Sequence, residues 1–217
     1  MLRDGRLLAL DGDAVELAAA GLVRLGVQEW LGEAAGAAAG RIRAASFARA
    51  WLAFGDLSAP GLRVPAAPVV RSLVRQGAQL LLRARHGDCP AVLEWLGLRS
   101  AEAAEQARLT GAAHPAEPTA LTLVWHGVQA LTAEDGHSHG RRIDDRCEAY
   151  IREHHRHQDT LALTLACAQL AAGALLELGD GDPVRADVRL EEHAARHMPL
   201  DGPVPLWVPG WPRHPAG

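Results

Sequence analysis

The segment from Arg141 to Leu178 constrains the fold more than any other part of the sequence, because it contains no proline and no glycine before Gly173. A segment of this length without helix-breaking residues favours a long helix. Its first half is charged and rich in histidine, whereas its second half is almost entirely apolar. We therefore expect a central helix whose first half meets water or a ligand and whose second half is buried. The sequence leaves open whether this helix is straight or breaks near residues 155–159.

Amphipathic patterns on both sides of this segment predict further helices. The sequence therefore predicts a mainly α protein, a multi-helix bundle of about seven or eight helices around the long helix 141–178. A short β element is predicted at the N-terminus, where the apolar run LLAL lies between Asp/Gly clusters. Gly-Asp dipeptides at 12–13, 87–88 and 181–182 precede helical patterns, so their aspartates are expected to act as N-caps.

Proline-rich stretches divide the chain. Residues 1–202 are expected to form one helical domain, with an internal boundary at 56–68, since three prolines fall between Ser58 and Pro68. Residues 203–217 form a tail rich in proline and tryptophan, which is expected to pack along a surface or to meet a partner.

Charge and composition argue against several classes of protein, although nucleic-acid binding through a local basic face stays open. The 217 residues carry a net charge of -4, so no overall positive field attracts nucleic acid or an anionic membrane. Gln169 and Glu177 interrupt the longest apolar run, which argues against a membrane span. The 3 cysteines form no CxxC pair, which predicts reduced thiols and a cytoplasmic location. All the basic residues other than histidine are arginine, which suggests a bacterial gene of high GC content.

Histidines cluster at the start of the predicted central helix. A neutral imidazole binds divalent metals, so the cluster predicts either a metal site or a pH-sensitive site. His137 and His139 lie in the preceding loop, and His154 and His157 share a helix face. These four are the candidate metal ligands, and a second pair, HxxxH, lies near the end of the chain at 193–197. A solvated face lined with i,i+4 pairs, such as Glu148 with Arg152, accounts for the same pattern without a metal.

Arg152 and His157 are separated by four residues. This spacing resembles the short Arg-x4-His signature of the HEPN ribonucleases, which are all-helical enzymes. The resemblance covers six residues, and Glu153 replaces the polar Asn, Asp or His that usually follows the arginine in that family. It implies that Arg152 and His157 are catalytic residues acting on the RNA backbone.

The sequence contains no GxSxG, Walker or GxGxxG motif, so hydrolase, NTPase and dinucleotide-binding functions lack a starting residue. Tryptophan is enriched at interaction hot spots, and Trp207 and Trp211 lie in the tail. The prediction is a non-enzymatic binding or scaffold protein that associates with itself or with a protein partner. The alternatives are a metal-dependent enzyme or sensor that uses the histidines of 137–157, and a HEPN-like ribonuclease. Apart from a divalent metal, no cofactor is expected.

Overall fold

A computed structural model describes residues 12–34, 66–111, 115–154 and 157–197. These residues form seven helices and contain no strand, so the predicted all-helical bundle is confirmed for the described part of the chain. The helices are α1 (Gly12–Ala34), α2 (Ala66–Ala84), α3 (Cys89–Thr110), α4 (Ala116–Thr132), α5 (Gly136–Glu153), α6 (His157–Leu178) and α7 (Pro183–Ala195).

Two aspartates begin helices as the sequence predicts. The side chain of Asp88 accepts a hydrogen bond from the backbone N–H of Ala91 at the start of α3, over 3.1 Å. The side chain of Asp182 accepts one from the N–H of Val184 at the start of α7, over 2.8 Å. Each carboxylate satisfies an N–H group that has no partner within its helix. Gly111 ends α3 in the left-handed conformation that glycine adopts at little cost.

The core lies between α6 and its neighbours. Helix α6 packs most extensively against α2 and α1 and also contacts α4, while α7 lies mainly against α1. The inward positions of α6 are small residues such as Ala168, Ala171 and Ala172, all fully buried. Small side chains let neighbouring helix backbones approach closely, which explains the alanine-rich composition of this helix.

Gly26 marks one such close approach, between α1 and α6. A Cβ atom built on Gly26 would lie 2.9 Å from the Cβ of Ala172 and 3.3 Å from the carbonyl oxygen of Ala168. Only glycine fits there without a shift of the helices. This contact fixes the spacing between the helix that carries Glu16 and the centre of the bundle.

The segment 141–178 is not one continuous helix. It is divided between α5, which ends at Glu153, and α6, which begins at His157. The two halves pack on different neighbours, because α5 contacts mainly α4, whereas α6 contacts mainly α2 and α1. Helix α5 also begins earlier than predicted, at Gly136, and therefore includes the expected loop with His137 and His139.

Other predictions concern residues that the structure does not describe. The N-terminal β element, most of the boundary at 56–68 and the tail at 203–217 lie outside the described residues.

One segment of the described chain, Asp159–Leu178, is long and apolar enough to cross a membrane when judged by length and composition alone. Half of that window is buried inside the protein. Packing of α6 against α1, α2 and α4 accounts for its apolar surface, as expected for a core helix. The cytoplasmic location stays a prediction.

Candidate metal site

Glu16 is a carboxylate buried in an apolar helix. Its neighbours in α1 include Val15, Ala19, Ala20 and Val23, which are all buried, and Glu16 itself is 8% exposed. Removing a charged carboxylate from water is costly unless hydrogen bonds and opposite charges replace the water. The partners of Glu16 therefore determine what this part of the bundle can do.

Three residues on one face of α2 hold the carboxylate. The hydroxyl of Ser72 donates a hydrogen bond to Oε1 over 2.8 Å, and the amide of Gln76 donates one to Oε2 over 3.2 Å. Gln76 also donates to the hydroxyl oxygen of Ser72, over 3.2 Å. The guanidinium of Arg75 forms an ion pair with Oε1. Spacings of three and four residues bring these groups to the same side of α2.

The surroundings keep Glu16 ionised. Burial by itself would raise the pKa of the carboxyl, but contact with His193, the hydrogen bonds from Ser72 and Gln76, and the charge of Arg75 together lower that pKa to about 2. Glu16 is therefore a carboxylate at any physiological pH.

Helix α7 brings two histidines to this carboxylate. Arg24 of α1 anchors the helix, because its guanidinium lies 2.8 Å from Asp187 and 3.3 Å from Glu191. His193 Nε2 then lies 3.5 Å from Glu16 Oε2. This nitrogen is buried, and at 3.5 Å it interacts electrostatically with the carboxylate and so helps to lower the pKa of Glu16, but the contact does not satisfy hydrogen-bond geometry, so Nε2 has no hydrogen-bond partner. The rings of His193 and His197 lie 5.0 Å apart between their centres.

Among the described residues, one group of three potential metal ligands has its ligand atoms close enough together to hold an ion. It consists of Glu16, His193 and His197. One ligand atom from each residue lies within 4.8 Å of the other two. Ligands on a tetrahedral ion at about 2.1 Å are roughly 3.4 Å apart, close to the 3.5 Å between His193 Nε2 and Glu16 Oε2. The distance between these two atoms therefore matches one edge of a tetrahedral site, and His197 lies two residues beyond the end of α7.

A cavity of about 110 Å³ adjoins this group between α2, α6 and α7, and Gln76 and His193 line it. Three arginines, Arg83, Arg189 and Arg196, lie around it with one acidic residue, Glu192. The apolar part of the wall consists of Leu80, Leu175, Leu178 and Leu190. The cavity thus combines an excess of positive charge with an apolar surface.

The histidines predicted from sequence are separated by the fold. His137 and His139 lie in the first turn of α5, whereas His154 follows its last residue. At 1.5 Å per residue, His139 and His154 are about 22 Å apart along the helix. They cannot bind the same ion, so the structure does not bring the four candidate ligands together. His157 is the first residue of α6, and its side chain lies outside what the structure describes.

His139 and His154 contact other aromatic rings. His139 Nδ1 lies 3.3 Å from Nδ1 of His126, a buried residue of α4. The ring of His154 lies 4.3 Å from that of Tyr150. Arg152, the other residue of the HEPN-like spacing, is exposed in the last turn of α5, and the break between α5 and α6 separates it from His157.

Sequence reasoning found the HxxxH pair but missed Glu16. A signal was present, since Glu16 is an acidic residue among the alanines and valines of a helix that is apolar on almost every side. Such a residue requires partners from elsewhere in the fold.

Comparison with models of known families, with curated proteins and with solved structures finds no match. Functional inference for this chain therefore rests on its own residues.

Proposed function

We propose that the protein binds a divalent transition metal through Glu16, His193 and His197, and that it works as a metal-dependent enzyme or sensor. The observation that carries the proposal is the convergence of one carboxylate and two imidazoles from opposite ends of the described chain, with their ligand atoms within 4.8 Å of one another. Two histidines and a carboxylate form a ligand set typical of zinc and of non-haem iron.

Each oxygen of Glu16 has a separate role in this proposal. Oε1 is occupied by Ser72 and Arg75, whereas Oε2 accepts one hydrogen bond, from Gln76, and keeps a second lone pair on the side of His193. Oε2 is therefore the oxygen that would bind the ion. Ser72 and Gln76 would hold the carboxylate in position, as hydrogen-bond partners of metal ligands commonly do.

The buried Nε2 of His193 supports the same conclusion. A buried ring nitrogen without a hydrogen-bond partner costs free energy, about 1 to 3 kcal/mol, and a metal ion would remove that cost. Arg75 opposes the binding of a cation, but its side chain is about half exposed and can move towards water.

Three protein ligands leave at least one coordination position open. In zinc sites of this kind, the open position holds a water molecule that the ion activates as a nucleophile. Here the residue after His193 is Ala194, so the site lacks the glutamate base of an HExxH motif. Any general base must come from another residue.

The test is metal binding by tag-free protein, with zinc as the probe. Wild type is expected to bind one zinc ion per chain in calorimetric titration, with the metal content checked by mass spectrometry. A His193→Ala/His197→Ala variant should lose this binding, while circular dichroism shows that it keeps its helices, because Arg24 anchors α7 independently of the two imidazoles.

A His137→Ala/His139→Ala variant is the matched control, because it removes the same number of imidazoles from a different helix. It should bind zinc as wild type does. Loss of binding in this variant but not in the other would place the metal in the cluster predicted from sequence. An absence of zinc binding by wild type would refute the proposal.

The scaffold function stays a second proposal. It is favoured by Val184 and Val188 of α7, which lie one turn apart and are 67% and 51% exposed. If the chain self-associates through this face, replacing both valines with glutamate should shift the sedimentation coefficient towards that of a single chain. An unchanged sedimentation coefficient would exclude this face as the interface.

A further inference from the structure

The cavity between α2, α6 and α7 carries more positive than negative charge. The charged residues that line the cavity are three arginines, Arg83, Arg189 and Arg196, and one acidic residue, Glu192. The net charge of the lining is therefore positive. Within the part of the chain that the structure describes, these three guanidinium groups form no ion pair. An anion entering the cavity would therefore not have to displace a carboxylate.

The apolar part of the cavity wall indicates which class of anion would bind there. Four leucines from three helices line the same cavity, and an inorganic ion such as phosphate would leave them without a partner. A small organic anion with a short hydrocarbon part would contact both the leucines and the guanidinium groups. The volume of about 110 Å³ suits a molecule of a few heavy atoms, because sites for drug-sized ligands measure roughly 300 to 1,000 Å³.

The cavity also shares residues with the proposed metal site. Gln76 donates a hydrogen bond to Glu16 and lines the cavity, and His193 both faces Glu16 and lines the cavity. We propose that this cavity binds a short-chain carboxylate, and that the carboxylate binds more tightly when a metal ion is held by Glu16, His193 and His197. The coupling between the carboxylate and the metal rests on the proposed function, whereas the binding of the carboxylate itself does not.

Butanoate is the probe, and butanamide is its neutral counterpart of nearly the same shape. Both are titrated into 15N-labelled full-length protein and followed by amide chemical shifts, first with EDTA and then with one equivalent of zinc. Butanoate should shift amides of α2 and α7, and butanamide should bind at least about fivefold more weakly. Zinc should lower the dissociation constant of butanoate about fivefold or more. Inorganic phosphate, tested with EDTA only, should bind more weakly than butanoate because it cannot contact the leucines.

An Arg83→Gln/Arg189→Gln variant should raise the dissociation constant of butanoate about fivefold or more. An Arg141→Gln/Arg142→Gln variant loses the same charge from exposed positions on α5, a helix that does not line the cavity, and should bind as wild type does. Equal weakening in both variants would show a nonspecific effect of net charge and would overturn the inference.

The remaining outcomes separate the inference from the proposed function. Zinc binding without any butanoate binding overturns the inference and leaves the metal site intact. Butanoate binding by a protein that does not bind zinc overturns the metal site and the link between the two. Equal affinity for butanoate and butanamide overturns the assignment of an anion.

Discussion

Replacing Glu16 with glutamine should destabilise the metal-free protein, and the size of the effect should depend on pH. Glutamine has nearly the same shape and its oxygen can still accept a hydrogen bond from Ser72, but its NH2 group cannot accept from Gln76, and it cannot form the ion pair with Arg75. The variant therefore isolates the charge of Glu16 from its packing. EDTA in all samples excludes any contribution from bound metal.

The magnitude follows from the difference between the ordinary pKa of a glutamate, 4.5, and the value of about 2 for Glu16. This difference corresponds to at most about 3 kcal/mol in the free energy of unfolding. Because the folded-state pKa is lowered, the contribution is fully present above pH 4.5 and is lost as the pH falls towards 2. By pH 3 about half of it should be gone.

Urea denaturation followed by circular dichroism at pH 7, 5, 4 and 3 measures the difference between wild type and Glu16→Gln. The difference should be about 2 to 3 kcal/mol at pH 7 and should shrink steadily below pH 4.5. Glu105→Gln is the control, because Glu105 also pairs with an arginine, Arg108, but lies fully exposed. It should change stability little at any pH. A difference for Glu16→Gln that stays constant from pH 7 to pH 3 would contradict the lowered pKa of Glu16.

Gly26→Ala should lower the free energy of unfolding by about 1 to 3 kcal/mol, because the added Cβ would press on Ala172. Gly97→Ala should raise the free energy of unfolding by about 1 kcal/mol, because Gly97 lies on α3 with open space around the position of the Cβ. Urea midpoints of both variants test this contrast, and equal shifts would contradict it. Burial of His126, with the charges of Arg146, His139 and Arg142, lowers its pKa to about 4. The unfolded chain binds the proton more readily, so stability should fall by at most about 3 kcal/mol as the pH drops from 6.5 to about 4. This fall should be reduced in His126→Gln, and an unchanged pH profile would contradict the assignment.

The sequence predicts most of the fold because local signals are strong in this chain. Asp88 and Asp182 begin helices for reasons that lie within a few residues of each. The sequence left open whether the segment 141–178 breaks near residues 155–159, since no glycine or proline marks a break there. The break coincides with a change of main packing partner, from α4 for the polar helix α5 to α2 and α1 for the apolar helix α6.

The candidate site was harder to predict, because it depends on contacts between distant parts of the chain. The HxxxH pair is visible in the sequence, and so is the density of histidines between His137 and His157. Density in sequence does not produce proximity when a straight helix separates the residues by about 22 Å. Glu16 and His193 approach each other because α7 packs against α1, where Arg24 forms its ion pairs. No local pattern encodes that contact.

The polar cluster around Glu16 links the first and last described helices of the bundle. Helix α7 lies mainly against α1, and its polar attachments are the ion pairs of Arg24 and the contact between His193 and Glu16. Without a metal, that second contact leaves a buried nitrogen without a hydrogen-bond partner. A bound ion would replace it with two coordinate bonds that join α7 to α1. If the proposed site binds a metal, metal binding and the docking of α7 are coupled: any condition that loosens α7 would weaken metal binding, and the metal would in turn stabilise the attachment of α7.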